Sequence, residues 1–190
     1  GGDKGIFGFG NVEPTKQNMT NLVSNTGVVA TDTTGVGTAR LALGACEYGD
    51  DKAIFGFGQP GASSTAITNL VSNTGVVATD TSGVGTARQS LAACSYGNDK
   101  GIFGYGHTGS TSSLTNLVSN TGVVATDTTG VGTARFFLAA CEYGQGKGIF
   151  GYGEGSDFSL TNLVSDSGVV ATDTTGVGTA RAKLSACSYN

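Results

Sequence analysis

The stretch Thr20–Arg40 reads TNLVSNTGVVATDTTGVGTAR, and it decides the fold because it comes back. The same string stands at Thr115–Arg135, with near copies at Thr68–Arg88 and Thr161–Arg181. Between the copies lies a second shared block, LAACSYGNDKGIFGYG at Leu91–Gly106. Arg40, Arg88, Arg135 and Arg181 are separated by 48, 47 and 46 residues, and Cys46, Cys94, Cys141 and Cys187 keep the same spacings. Self-similarity at such a period marks a solenoid, a propeller or an array.

Each unit reads as four short strands. A small-residue strand, Leu91–Tyr96, is followed by a Gly-Asn-Asp turn and by Lys100–Gly106. A variable loop leads to Thr115–Ser119, the Asn120-Thr121-Gly122 turn and Val123–Thr128. The turn glycine supplies the positive φ that a tight hairpin needs. Four strands per unit predict an all-β fold, a four-bladed β-propeller of four-stranded antiparallel blades forming a single domain over residues 1–190. No apolar face repeats with the period of a helix. Joining Tyr189-Asn190 to Gly1-Gly2-Asp3-Lys4 nearly rebuilds Tyr96–Lys100. The C-terminal strand is therefore expected to complete the first blade and close the ring, leaving no open edge between blades.

Composition agrees with many short strands and tight turns. The chain has 190 residues, 33 of them glycine, 38% hydrophobic and 13% charged. There is no Gly-X-Y period, and the apolar content is too high for a disordered chain. The net charge of -4 and the absence of a basic cluster argue against nucleic acid as a partner. No apolar run reaches the roughly 20 residues of a membrane-spanning helix, so no membrane insertion is expected.

The order of arginine, small inner strand, turn, aromatic strand ending in glycines, loop and outer strands resembles the kelch repeat. The double glycine of kelch has its counterpart in Gly8-Phe9-Gly10, Gly56-Phe57-Gly58, Gly104-Tyr105-Gly106 and Gly151-Tyr152-Gly153. The kelch outer-strand tyrosine and tryptophan are missing. The wording of the repeat also resembles repeat regions of tail-fibre or structural proteins of marine phages. That likeness implies an extracellular or virion-surface location.

The copies differ at two places. One is the pair after each arginine: Leu41-Ala42, Gln89-Ser90, Phe136-Phe137 and Ala182-Lys183. The other is the loop after the aromatic strand, residues 11–19, 59–67, 107–114 and 154–160. Antiparallel pairing of the first two strands puts both places at one rim. A uniform scaffold with one diversified rim suits binding, although drift in tolerant loops would also diversify it. Gln89, His107, Phe136, Phe137, Glu154, Asp157, Phe158 and Lys183 are the candidate contacts for a protein or carbohydrate ligand. Strand alternation predicts that only one of Phe136 and Phe137 points inward.

The remaining residues suggest structural roles. The four cysteines suit buried packing; disulfides between blades or a four-thiolate metal site are the alternatives, the latter disfavoured by the lack of a CxxC spacing. Asp32, Asp80, Asp127 and Asp173 sit in Thr-Asp-Thr-[Thr/Ser]-Gly, where they would cap turns and pair with Arg40, Arg88, Arg135 or Arg181. His107 is the single histidine, and no catalytic constellation assembles around it, so no enzyme activity, cofactor or metal is expected. The expected function is a non-enzymatic binding or adhesion module, as in a phage fibre or surface protein. A structural protein that self-associates with other subunits of a virion or fibre is the alternative.

Overall fold

The computed structural model describes residues 3–156 and 158–189. Among them there is no helix, and the strands form small antiparallel sheets. The first unit, residues 3–40, holds β1 (Gly5–Gly8), β2 (Asn11–Val12), β3 (Thr15–Lys16) and β4 (Thr20–Val23). The second, 41–88, holds β5 (Gly44–Tyr48), β6 (Lys52–Gly56) and β7 (Thr68–Val71). The third, 89–135, holds β8 (Ala92–Tyr96), β9 (Lys100–Gly104) and β10 (Thr115–Val118). The fourth, 136–181, holds β11 (Ala139–Tyr143), β12 (Lys147–Gly151) and β13 (Thr161–Val164). A tail, residues 182–189, follows.

Units two to four are three-stranded sheets with the orders β5-β6-β7, β8-β9-β10 and β11-β12-β13. In the third unit Cys94 faces Ile102 and Leu117 also faces Ile102, which fixes the register on both sides of the middle strand. The expected fourth strand is not formed. Val123–Thr128 touches β10 only through isolated bridges, Val118 with Val124 and Thr115 with Thr128. The pairing slips by one residue between those bridges, and the Asn116 side chain fills the gap by donating to the Ala125 carbonyl at 3.0 Å. Asp127 in the slipped stretch turns to the preceding unit, so the segment leaves the ladder.

The core lies between units. One buried cluster joins Tyr48, Ile54 and Phe57 of the second unit to Leu91, Phe103 and Val118 of the third. Another joins Cys94, Ile102 and Tyr105 of the third to Leu138, Phe150 and Val164 of the fourth. At each junction an aromatic ring of the later unit meets one of the earlier unit edge-on: Phe55 on Phe9, Phe103 on Phe57 and Phe150 on Tyr105, all with centroids 5.2 Å apart. Burying each ring contributes roughly 1.5–3 kcal/mol. The ring needs a glycine beneath it: a Cβ on Gly56 would stand 2.7 Å from Phe103, and one on Gly104 would stand 2.6 Å from Phe150.

Among the described residues the expected ring closure is not seen. Among the described residues β1 pairs with β4 alone, so the first sheet has two strands and an unpaired edge. Residues 182–189 form no strand, and among the described residues no hydrogen bond joins them to the first unit. Phe7 is 63% exposed, whereas its counterparts Phe55 and Phe150 are 5% and 0% exposed. A ladder of backbone bonds runs from unit to unit: Ser90 N to Ala42 O, Phe137 N to Ser90 O and Lys183 N to Phe137 O, at 2.8, 2.9 and 2.8 Å. The tail thereby continues the stack beyond the fourth unit and does not turn back to the first. Gly1, Gly2 and Asn190, on which the expected join also rests, lie outside the described residues.

Candidate functional site

Two sets of side chains stand out, one between units and one along a rim. The first is built on the repeated arginine. Arg40 is fully buried, its guanidinium 4.3 Å from the Phe9 ring of its own unit. It reaches into the next unit to donate from Nε to the Phe57 carbonyl at 2.8 Å and from Nη2 to Asn69 Oδ1 at 2.7 Å. Phe57 adopts φ +63, which turns its carbonyl to the guanidinium. Arg88 makes the same contacts with Tyr105 O and Asn116, and Arg135 makes them with Tyr152 O and Asn162. Burial draws the Arg40 and Arg88 guanidinium groups down to about 10, with Asp80 and Asp127 opposing, so both stay charged at neutral pH.

The aspartates complete this lock. Asp80 accepts from the backbone N and hydroxyl of Thr38 in the preceding unit, the hydroxyl at 2.6 Å. Asp127 and Asp173 take the same bonds from Thr86 and Thr133. Arg88 lies 3.6 Å from Asp127, and Arg135 lies 3.9 Å from Asp173, again across a junction. Burial works against ionisation of Asp80, Asp127 and Asp173, but the threonine and asparagine donors and the arginine outweigh it and hold all three below the usual carboxylate range. Among the described residues the Asp32 side chain bonds only with Asn21 of its own unit, and the Arg181 side chain only with the Thr179 carbonyl.

The glycine-flanked aromatics of this lock are the segments that carry the kelch resemblance, whereas its asparagines and threonines have no counterpart among the sequence expectations. Their signal was there: Asn21, Asn69, Asn116 and Asn162 are one polar residue repeated without change in an apolar strand, TNLV. Among the described residues the four cysteines carry no disulfide, and no group of three or more His, Cys, Asp or Glu is placed to hold a metal. Burial pushes the Cys94 thiol up to about 12 and that of Cys46 higher, each raised further by the thiol of the following unit. These thiols are inert packing groups at neutral pH.

The second set lies along the rim. Gln89 and His107 exchange backbone bonds at 3.0 and 2.8 Å, and Phe136 and Glu154 do so at 3.0 and 2.7 Å. The pair after each arginine thus meets the start of the following loop. The Phe136 ring tilts against His107 at 5.1 Å and against Phe137 at 4.8 Å, and Lys183 Nζ lies 5.0 Å from the Phe137 ring. Strand alternation does not govern the two phenylalanines. They precede β11, Phe137 has φ +50, and both rings are half-buried. A shallow depression is lined by Thr111, Phe136, Glu154, Ser156, Ala182 and Lys183. Beside it runs a groove over Ala42, Leu43, Ser90, Leu91, Phe137 and Leu138. Gln89 Oε1 is buried without a hydrogen-bond partner among the described residues. Phe158 folds back under its own loop, its backbone N bonded to the Gly153 carbonyl, and Asp157 lies outside the described residues.

Compared with known proteins, the chain matches no family model and no curated protein.

Proposed function

We propose that the chain is a non-enzymatic binding scaffold whose rim takes a protein or carbohydrate ligand laid along the stacked units. The observation that carries this reading is the alignment of the unlike residues. The backbone ladder Ala42, Ser90, Phe137, Lys183 sets the non-repeated pair of each unit in one row, while the lock residues stay the same. Four units of one scaffold therefore present a line of different side chains. Toward its C-terminal end His107, Phe136, Phe137 and Lys183 form one contiguous cluster of aromatic and cationic groups. Aromatic faces beside hydrogen-bonding groups suit sugar rings and peptide side chains alike.

We propose that the four units form an arc of a propeller-like architecture, a reading supported by the repeated antiparallel sheets and the core packed between them. An outward-facing scaffold of this kind fits a fibre or surface protein. The test is ligand capture on glycan and peptide arrays by the parent chain, Phe136→Ala, Phe137→Ala and a variant with the four rim loops exchanged. Loss of a parent ligand in all three, with thermal unfolding kept for the loop exchange, supports the reading. Undiminished capture in every variant refutes it.

The two unmatched ends of the stack favour a second reading, that the chain assembles with other subunits.

A further inference from the structure

The three junctions inside the chain are built alike, and the two ends of the stack are the two halves of a fourth. On the last unit Gly151, Tyr152, Thr179 and Arg181 stand where Gly104, Tyr105, Thr133 and Arg135 meet the fourth unit, but no later unit packs on them among the described residues, and Thr179 and Arg181 are exposed. Arg181 is exposed, and a Cβ on Gly151 would find its nearest neighbour at 3.5 Å, against 2.6 Å at Gly104. On the first unit Phe7, Phe9, Asn21 and Asp32 stand where Phe150, Tyr152, Asn162 and Asp173 receive the third unit. There Phe7 is exposed, and Asp32 has no threonine donor among the described residues.

The tail and the first sheet are complementary in the same way. Among the described residues β1 has an unpaired edge where β6, β9 and β12 each carry an inner strand. In the third unit a Cβ on the hairpin Gly122 would lie 3.0 Å from the Tyr48 ring and 2.8 Å from Leu70 of the unit before. In the fourth, Gly168 meets Tyr96 and Leu117. In the second unit, Gly75 meets Leu22 and no tyrosine. The place of the missing ring is a cleft lined by Lys4, Ile6, Leu22, Ala53, Val71 and Gly75. Tyr189, the counterpart of Tyr48 and Tyr96, is 94% exposed, while those two are 4% and 3% exposed.

We propose that these ends join two copies of the chain head to tail. The tail of one copy adds as an inner strand to β1 of the next, and its Tyr189 fills the cleft at Gly75. Phe7 of the second copy seats on Gly151 and Tyr152 of the first. Arg181 then reaches Phe9 O and Asn21, and Thr179 reaches Asp32. The partners are of opposite charge, the occupant strand is added by edge pairing, and every contact has three or two precedents within the chain. Such a contact is heterologous, so it propagates until a ring closes or a fibre grows. One position departs from the internal pattern. Cys46 and Cys94 Sγ lie within 2.5 and 2.7 Å of where a Cβ on Gly101 or Gly148 would be, and the corresponding residue facing Cys187 is Ala53. Cys187 must turn its sulfur aside there, which weakens this junction relative to the internal ones.

The experiment is sedimentation equilibrium of the full chain over a wide dilution series. The parent is expected to gain mass in whole-chain steps as concentration rises. Gly151→Ala should weaken association roughly ten- to hundredfold, because the added methyl occupies the seat of Phe7. Its thermal unfolding should match that of the parent, since the site is open. Tyr189→Ala, on the exposed tail, should weaken association without touching the fold, and Ala53→Gly should strengthen it. A parent chain of single mass at every concentration overturns the proposal. So does a chain that protects Tyr189 as a monomer, which would mean closure onto its own first unit. So does full association by Gly151→Ala and Tyr189→Ala together.

Discussion

Arg135 Nη2 donates to Asn162 Oδ1 at 2.7 Å across the boundary between the third and fourth units, with its guanidinium 4.2 Å from the Tyr105 ring. Arg181 stacks on Tyr152 in the same way, 4.1 Å from the ring, but among the described residues it meets no asparagine. One repeated residue therefore stands in two settings, buried between units inside the stack and exposed at its end.

Arg88→Ala and Arg135→Ala each strip a buried charge from its partners and leave the Tyr105 or Tyr152 carbonyl and an asparagine unmet. Each is expected to cost about 3–5 kcal/mol. Arg181→Ala, with an exposed side chain, is expected to cost less than about 0.5 kcal/mol in the unassociated chain. Urea unfolding of the three variants at low protein concentration checks the contrast. Equal losses at all three sites would contradict the open end.

Acid should loosen the junctions. Asp80, Asp127 and Asp173 are held below the ordinary carboxylate value of about 3.9. A group whose folded value is depressed adds stability above its unfolded value and loses it as pH falls through the folded one. Stability should therefore be level near neutrality and fall below about pH 4. Because these carboxylates are partly solvated, each is expected to contribute no more than about 1 kcal/mol. Asp127→Asn should lower neutral stability and flatten the acid limb of a pH series of thermal unfolding curves.

Thiol reactivity should follow position in the stack. Cys187 is exposed, whereas Cys94 is buried and the thiols of Cys46 and Cys94 are pushed far up. In dilute native protein iodoacetamide is expected to modify Cys187 first and to leave Cys46 and Cys94 unmodified until denaturant is added. Peptide mass mapping over a time course reads this out. Early modification of Cys94 would show that the junctions open readily.

Glycine seats should show the same asymmetry. Gly104→Ala sets a methyl 2.6 Å from Phe150, a conflict that either tilts the ring or parts the units. It is expected to cost about 1–3 kcal/mol, while Gly151→Ala should leave the stability of the unassociated chain near that of the parent. Differential scanning calorimetry of both variants compares them directly.

The sequence by itself determined the unit, its period, its first three strands and the rim at which the copies differ. These follow from local chemistry: β-branched and aromatic runs, turn glycines, and the period-2 geometry of an antiparallel pair. The tertiary structure alone decided that Val123–Thr128 leaves the ladder, because Asp127 bonds to Thr86 of another unit. It also decided that Phe136 and Phe137 do not alternate, since the residue stacked between Ser90 and Lys183 must take positive φ. Closure was the largest difference. The join of Tyr189 to Asp3 is continuous in wording, but whether four units complete a circle depends on how far each junction turns one sheet against the next. That angle is set by rings, glycine seats and buried arginines packing between units, and no single repeat encodes it.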